Sequence, residues 1–213
     1  LERNAMIIVH HLNDSRSQRI LWLLEELGVP YEIRHHERDP QTRFAPDSLR
    51  VVHALGKAPT ITDGGLTIAE SGAIIDYIIR RHGNGRLQPA TNTADYDKYQ
   101  EWLHYAEGSA MFPLLMKMYM GRIGAAAEVI APRVDGEIAR HLGHINSSLA
   151  GRTWLMGDTF TGADVQLSFI GEFAGTQGLR APYANLEAWI RRCQARPAYI
   201  KAIDKGGPYR FAV

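Results

Sequence analysis

From Met6 the chain opens on an unbroken apolar run, Met-Ile-Ile-Val, the pattern of a buried strand. A polar loop, His10 to Ser17, separates it from Ile20, Leu23, Leu24 and Leu27, which recur at helical spacing and stop at Gly28. Tyr31 to His36 alternates and is rich in β-formers, so a second strand is expected there, and a helix between the two strands makes a βαβ unit. The polar, proline-containing stretch Asp39 to Val52 reads as irregular, with a short helix over Asp47 to Val51. Thr60-Ile-Thr and Leu66-Thr-Ile-Ala69 are two short β runs around Asp63-Gly64-Gly65, the strongest local hairpin signal. A helix follows, with Ser71 at its start, Ile74, Ile75, Ile78 and Ile79 on its apolar face, and Gly83 at its end. The first unit is thus βαβ, a connector, then ββα.

Gly83 to Asn92 has Gly, Asn and Pro89 with few apolar positions, the composition of an exposed connection. Beyond it the β signal disappears: Asp95 to Met120, Ala126 to Leu149, Ala163 to Gly175 and Leu186 to Ala195 all carry helical patterns. The expected organisation is α/β plus all-α, with a first domain over 6–83, a linker over 84–92 and an all-helical domain over 93–213. Thr161-Gly-Ala-Asp164 is a capping-box-like helix start. Pro113 predicts a bend one or two turns past Tyr105.

Charge narrows the function. Lys plus Arg number 24 against 23 Asp plus Glu, so a net charge of +1 gives no broad attraction for nucleic acid or an anionic membrane. No apolar run approaches the ~20 residues of a membrane span. The single cysteine, Cys193, excludes an intrachain disulfide framework and a Cys-rich zinc site, fits a reducing, cytoplasmic setting, and reads as a packing residue. His10, His11, His35 and His36 fall in or beside strands where adjacent side chains point to opposite faces, so no metal is expected; His141 and His144 read as a solvated helical face. Leu1 to Ala5 precede Met6, an expected initiator, and are read as an appended segment.

Three short stretches can carry chemistry. Ser15, Arg16 and Ser17 bring hydroxyls and an arginine to the start of the first helix, where amides and the macrodipole favour an anion such as a thiolate; Ser15 is equally suited to capping the helix. In Leu55-Gly56-Lys57-Ala58-Pro59, a proline opening a strand is a place for a cis bond; a cis Ala58-Pro59 would leave the Ala58 backbone free to pair with an extended peptide, with Lys57 beside it for a carboxylate. At Glu70-Ser71-Gly72 the helix start suits a carboxylate and Glu70 an ammonium, the two charges of an amino-acid head group. A sulfur site, a peptide-backbone site and an amino-acid site in one unit match the tripeptide glutathione.

These motifs resemble the glutathione transferase superfamily, and the resemblance runs from Met6 to about Tyr209. Ser-Arg-x-x-Arg followed by Leu-Trp-Leu-Leu-Glu-Glu-Leu-Gly, then Leu-Gly-Lys-Ala-Pro, Ala-Glu-Ser-Gly-Ala-Ile and Thr-Gly-Ala-Asp, are similar to the serine-type fungal and bacterial branch. The resemblance implies a thioredoxin-like first domain, a homodimer, and Ser15 as the thiol-activating hydroxyl. It implies further that Ala58, before a cis Pro59, pairs with the cysteinyl backbone, that Glu70 and Ser71 hold the γ-glutamyl end, and that Lys57 takes the glycine carboxylate. The first loop has neither the tyrosine of the tyrosine classes nor a cysteine, so thiol chemistry would be glutathione's own; Asn13, Arg16 and Ser17 remain alternatives to Ser15.

In the helical domain Trp102, Tyr105, Ser109, Phe112 and Met116 recur at spacings of three and four, and Met111, Met118 and Met120 add adaptable apolar surface. Tyr105, Ser109 and Phe112 are the expected electrophile contacts, the tyrosine hydroxyl steadying developing charge. The leading reading is conjugation of the glutathione thiolate to an apolar electrophile, with peroxide reduction as a side activity. A non-catalytic glutathione-binding or assembly module, and a glutathione-dependent isomerase or dehalogenase, are the alternatives.

Overall fold

The computed structural model describes residues 6–212; Leu1 to Ala5, read above as an appended segment, lie outside the described residues. The chain divides into two compact units, one taking the chain up to Leu87 together with everything from Gln194 onward, the other running Gln88–Cys193. The last stretch, expected within a helical domain over 93–213, therefore groups with the first unit.

In the first unit the elements follow the expected order: β1 (Ile7–Leu12), α1 (Ser17–Leu27), β2 (Tyr31–His36), α2 (Ser48–Val52), β3 (Thr60–Asp63), β4 (Leu66–Ala69) and α3 (Ser71–His82). The sheet order is β2-β1-β3-β4, with β1 parallel to β2 and antiparallel to β3, as a βαβ unit followed by a hairpin requires. Gly64 takes φ +61° at the first position of the two-residue hairpin loop, where a side chain would be strained. Helix α1 buries every residue but Glu25 and Glu26, because it faces β1 and α3 on one side and a further helix, α9 (Pro197–Gly206), on the other.

The sequence pattern ends its helices at Ala195 and does not show α9. What docks α9 is a set of pairs some 170 residues apart in the chain: Arg196 holds Glu26 by two nitrogens, Nη2 at 2.8 Å, and Lys201 meets Glu25 at 2.6 Å. Trp22 and Tyr199 meet edge to face at 5.2 Å. Burial opposes the charge on Glu25, but hydrogen bonds from Lys201, Lys205 and Tyr31 outweigh it and hold its carboxyl down at about 2.

The second unit contains α4 (Ala94–Tyr105), a π-helical turn (Ala106–Ala110), α5 (Met111–Ile123), α6 (Ala131–Ser148), α7 (Gly162–Thr176) and α8 (Ala184–Gln194, whose last residue falls in the first unit). Helix α7 is buried from Gly162 to Ala174, as an apolar sequence all around a helix demands. Its start is a true capping box. Asp164 Oδ2 accepts from the Thr161 amide at 2.9 Å, while Oδ1 accepts from the Leu155 amide and Trp189 Nε1 at 3.0 Å each. Gly171 lets α8 approach: a methyl there would lie 2.6 Å from Ile190 Cδ1. The irregularity expected at Pro113 takes the form of the π turn just before it, since proline cannot donate to the carbonyl one turn back and the widened turn absorbs the clash.

Candidate functional site

The sheet register sets the site. His10 pairs with Thr60 and Thr60 with Ala69, so the end of β1, the start of β3 and the end of β4 share one row across the sheet. The residues just past that row, 13–17, 57–59 and 70–71, therefore leave the sheet at the same end. The three stretches singled out from the sequence come together because of this pairing.

In the first loop Ser15 is 5% exposed and its Oγ accepts from the Ser17 amide at 3.1 Å, the capping role, while lying 2.8 Å from Ser17 Oγ. Ser17 is fully buried. Its Oγ accepts from the Leu12 amide at 3.1 Å and sits 2.9 Å from His11 Nδ1, so it is spent on the loop's own structure. Asn13 is also engaged inward: its Oδ1 accepts from the Arg38 amide at 2.9 Å and its carbonyl from Arg38 Nε at 3.0 Å. Asp14, with φ +50°, pairs with Arg43 at 2.6 Å and accepts from the Arg210 amide at 3.0 Å. Of the hydroxyls in this loop, Ser15 has its hydrogen-bond contacts among the described residues to Ser17 alone, which leaves it one further valence, and Arg16 is half-buried beside it.

In the second stretch the Ala58-Pro59 bond is cis. Among the described residues neither backbone group of Ala58 joins a backbone hydrogen bond, and Lys57 is exposed, its carbonyl accepting from Thr60 Oγ1 at 2.9 Å. In the third, Ser71 is 3% exposed at the first turn of α3, and Glu70 precedes it with φ +72° and an exposed side chain. Arg19, buried in α1, reaches Ser71 Oγ with Nη1 at 3.4 Å. This link between the first and third stretches was within the Ser-Arg-x-x-Arg motif, but nothing in the spacing of that motif gives Arg19 a role.

The electrophile residues are not on one stripe. A π turn adds about one residue to a turn and so rotates the next helical segment by roughly 100°. Tyr105, before it, is half-buried and its hydroxyl lies 2.8 Å from His141 Nδ1, whereas Ser109 and Phe112 are exposed. Burial pushes the Tyr105 phenol up and the His141 ring down. His141 is thus a partner of Tyr105 rather than part of a solvated face, while His144 is exposed and stacks on Trp102.

The remaining candidates are structural. His10 Nδ1 lies 3.3 Å from His36 Nε2, His10 Nε2 lies 3.1 Å from Thr62 Oγ1, and His36 Nδ1 lies 2.8 Å from Ser48 Oγ. Burial, with His36 and Arg34 adding, pushes His10 down to about 4. Cys193 is buried. Among the described residues no group of three or more His, Cys, Asp or Glu side chains is placed to hold a metal ion, and no helix is long and apolar enough to cross a membrane.

Compared with known proteins, residues 4–80 match the glutathione S-transferase N-terminal domain and 109–197 the C-terminal domain of the same family. Glutathione S-transferase 3 of Schizosaccharomyces pombe is 34% identical over 94% of this chain and 88% of its own length. A glutathione S-transferase of Actinobacillus pleuropneumoniae superposes with a TM-score of 0.87 at 34% identity, covering 96% of this chain and 94% of that one. A glutathione transferase family member of Pseudomonas fluorescens, solved with two glutathione molecules bound, gives a TM-score of 0.79 at 26% identity, covering 95% and 94%.

Proposed function

Because the chain belongs to the glutathione S-transferase family, we propose that it joins the thiolate of glutathione to an apolar electrophile, with Ser15 as the hydroxyl that steadies the thiolate. The observation that carries this is the row His10, Thr60, Ala69, which delivers three stretches of complementary chemistry to one end of one sheet. The relative from Pseudomonas fluorescens holds glutathione, and the same ligand suits each stretch here.

Ser15 lies at the N-terminal turn of α1, where the macrodipole favours a negative sulfur. The unpaired Ala58 backbone suits the cysteinyl residue of an extended tripeptide, with Lys57 for its terminal carboxylate. Ser71, the first-turn amides of α3 and Glu70 suit the carboxylate and ammonium of the γ-glutamyl group, and Arg19, donating to Ser71 Oγ, adds a positive charge beside it. Ser109 and Phe112, exposed on the second unit, are the electrophile contacts; Tyr105 acts together with His141. Thiolate formation and alignment supply the rate, and the same nucleophile serves a peroxide oxygen. The family resemblance supports a cytoplasmic homodimer.

Retention on immobilised glutathione followed by conjugation to a generic aryl halide tests this reading, and absence of retention would sink it. A hydrogen bond to a charged group contributes about 1.5–3 kcal/mol, so Ser15→Ala is expected to lower kcat/KM roughly 10- to 100-fold while retention persists. Unchanged turnover would remove Ser15 from the role.

A further inference from the structure

The environment of Ser15 fixes which way its proton points. Among the described residues Ser17 Oγ has four hydrogen-bond neighbours: the Leu12 amide at 3.1 Å, the Leu12 carbonyl at 3.2 Å, Ser15 Oγ at 2.8 Å and His11 Nδ1 at 2.9 Å. A hydroxyl offers one proton and two lone pairs, so at most three of these four contacts are filled at once. The Leu12 amide takes one lone pair. The proton's direction depends on His11.

The far side of the His11 ring meets α9. Nε2 faces Gly206, where an added methyl would lie 3.3 Å from it, and a hydrogen bond to the Gly206 backbone raises the ring's pKa, the effect of an accepting carbonyl rather than a donating amide. A carbonyl only accepts, so Nε2 bears the ring proton and Nδ1 a lone pair. Burial first, then His35 and His36 on β2, pushes the ring down to about 4, against the raising effect of Gly206, and His11 is neutral at pH 7. His35 faces the ring edge-on at 5.7 Å. Ser17 then donates to Nδ1, which among the described residues has no other hydrogen-bond partner and is closer than the Leu12 carbonyl. Its second lone pair is left for the Ser15 proton. Ser15 Oγ, already accepting from the Ser17 amide, turns its last lone pair outward.

We propose that His11 and Ser17 are positioning residues of the thiol site: they hold the Ser15 proton inward, so that Ser15 first meets the thiol of glutathione as an acceptor and turns its proton to sulfur only as the thiol ionises. The proposal rests on glutathione being the ligand. The thiol proton leaves to bulk water, and the hydroxyls reorient without carrying it away. His11, down at about 4, is several units too weak a base to take a proton from a thiol whose free value is ~8.5. Turning the Ser15 hydroxyl outward gives up its hydrogen bond to Ser17. The pair therefore opposes ionisation by the worth of one ordinary hydrogen bond, about half to one pKa unit.

This predicts a sign that simple damage to the loop does not. With Ser17→Ala the Ser15 proton is free to face sulfur, and the pKa of bound glutathione, read from its ultraviolet thiolate absorbance against pH, is expected to fall by about half to one unit. Ser17→Thr, which keeps the hydroxyl, is expected to restore it. A pKa raised or unmoved in Ser17→Ala would overturn the proposal. Should that variant not fold, the imidazole nitrogen signals of the unmutated protein decide: a proton on His11 Nε2 supports the proposal and one on Nδ1 overturns it. Failure of the unmutated protein to bind glutathione would instead overturn the functional reading on which this one rests.

Discussion

Glu70 holds φ at +72°, a backbone region that a residue with a Cβ enters only when its surroundings impose it. Its carbonyl starts α3 by accepting from the Ile74 amide at 2.9 Å, and its exposed side chain stands beside buried Ser71. Strain of this kind costs of order 1–3 kcal/mol, and a glycine there would relieve it. Glu70→Gly is therefore expected to leave unfolding stability unchanged or raise it by up to about 1 kcal/mol, while weakening glutathione binding at least 10-fold. Denaturant melts and a binding titration check the two halves. A stability loss with affinity intact would show that the carboxylate serves the fold instead. At this scale the local geometry was legible: Ser15 precedes α1, Ala58 stands before a cis Pro59, and Ser71 opens α3 just after Glu70. Asn13 and Ser17 carry the same polar chemistry in the sequence, but Arg38 and His11 turn them inward, and spacing along the chain cannot show those partners.

Between elements, the sheet is tied to α2 by a polar line, Thr62 to His10 to His36 to Ser48, across β3, β1, β2 and α2, with its two histidines buried. His10 and His11 are each pushed from 6.5 down to about 4, and His36 is lowered, burial leading in every case. The folded state thus binds fewer protons than the unfolded chain between those values, so this stability is full above about pH 6.5 and is lost as pH falls toward 4. Asp164 acts oppositely. Burial raises it from 3.8 to about 6, against its hydrogen bonds from Leu155, Thr161 and Trp189, so its contribution is lost as pH rises through that window. Two large histidine shifts outweigh one aspartate shift, each pKa unit being worth about 1.4 kcal/mol before any relaxation. Denaturant midpoints measured from pH 7.5 to 4.5 are expected to fall steadily, by about 2 kcal/mol or more in total. A flat profile would contradict the burial of these rings. The strands, and the helices other than α9, were legible here because each carries its own period. The π turn was not, since one proline announces a bend but not how the preceding turn absorbs it, and with it went the single stripe of Tyr105, Ser109 and Phe112.

For the whole molecule, the chain's return is the part its pattern conceals. From Gln194 it rejoins the first unit, where α9 is fastened by Arg196, Lys201 and Lys205 to the adjacent acids Glu26 and Glu25 of α1. Charges that pair across most of a chain leave no local signature, so this closure was not readable. The closure also bears on the site, because Gly206 of α9 meets the His11 ring behind Ser17 and Ser15. The central claim is that three stretches at one end of the sheet hold glutathione with its sulfur at Ser15. A crystal structure with glutathione bound tests it most directly. The account predicts the sulfur within about 3.5 Å of Ser15 Oγ, the cysteinyl backbone paired to Ala58, and the γ-glutamyl group at Glu70 and Ser71. Sulfur resting on another donor of the first loop, or glutathione bound away from this end of the sheet, would contradict it.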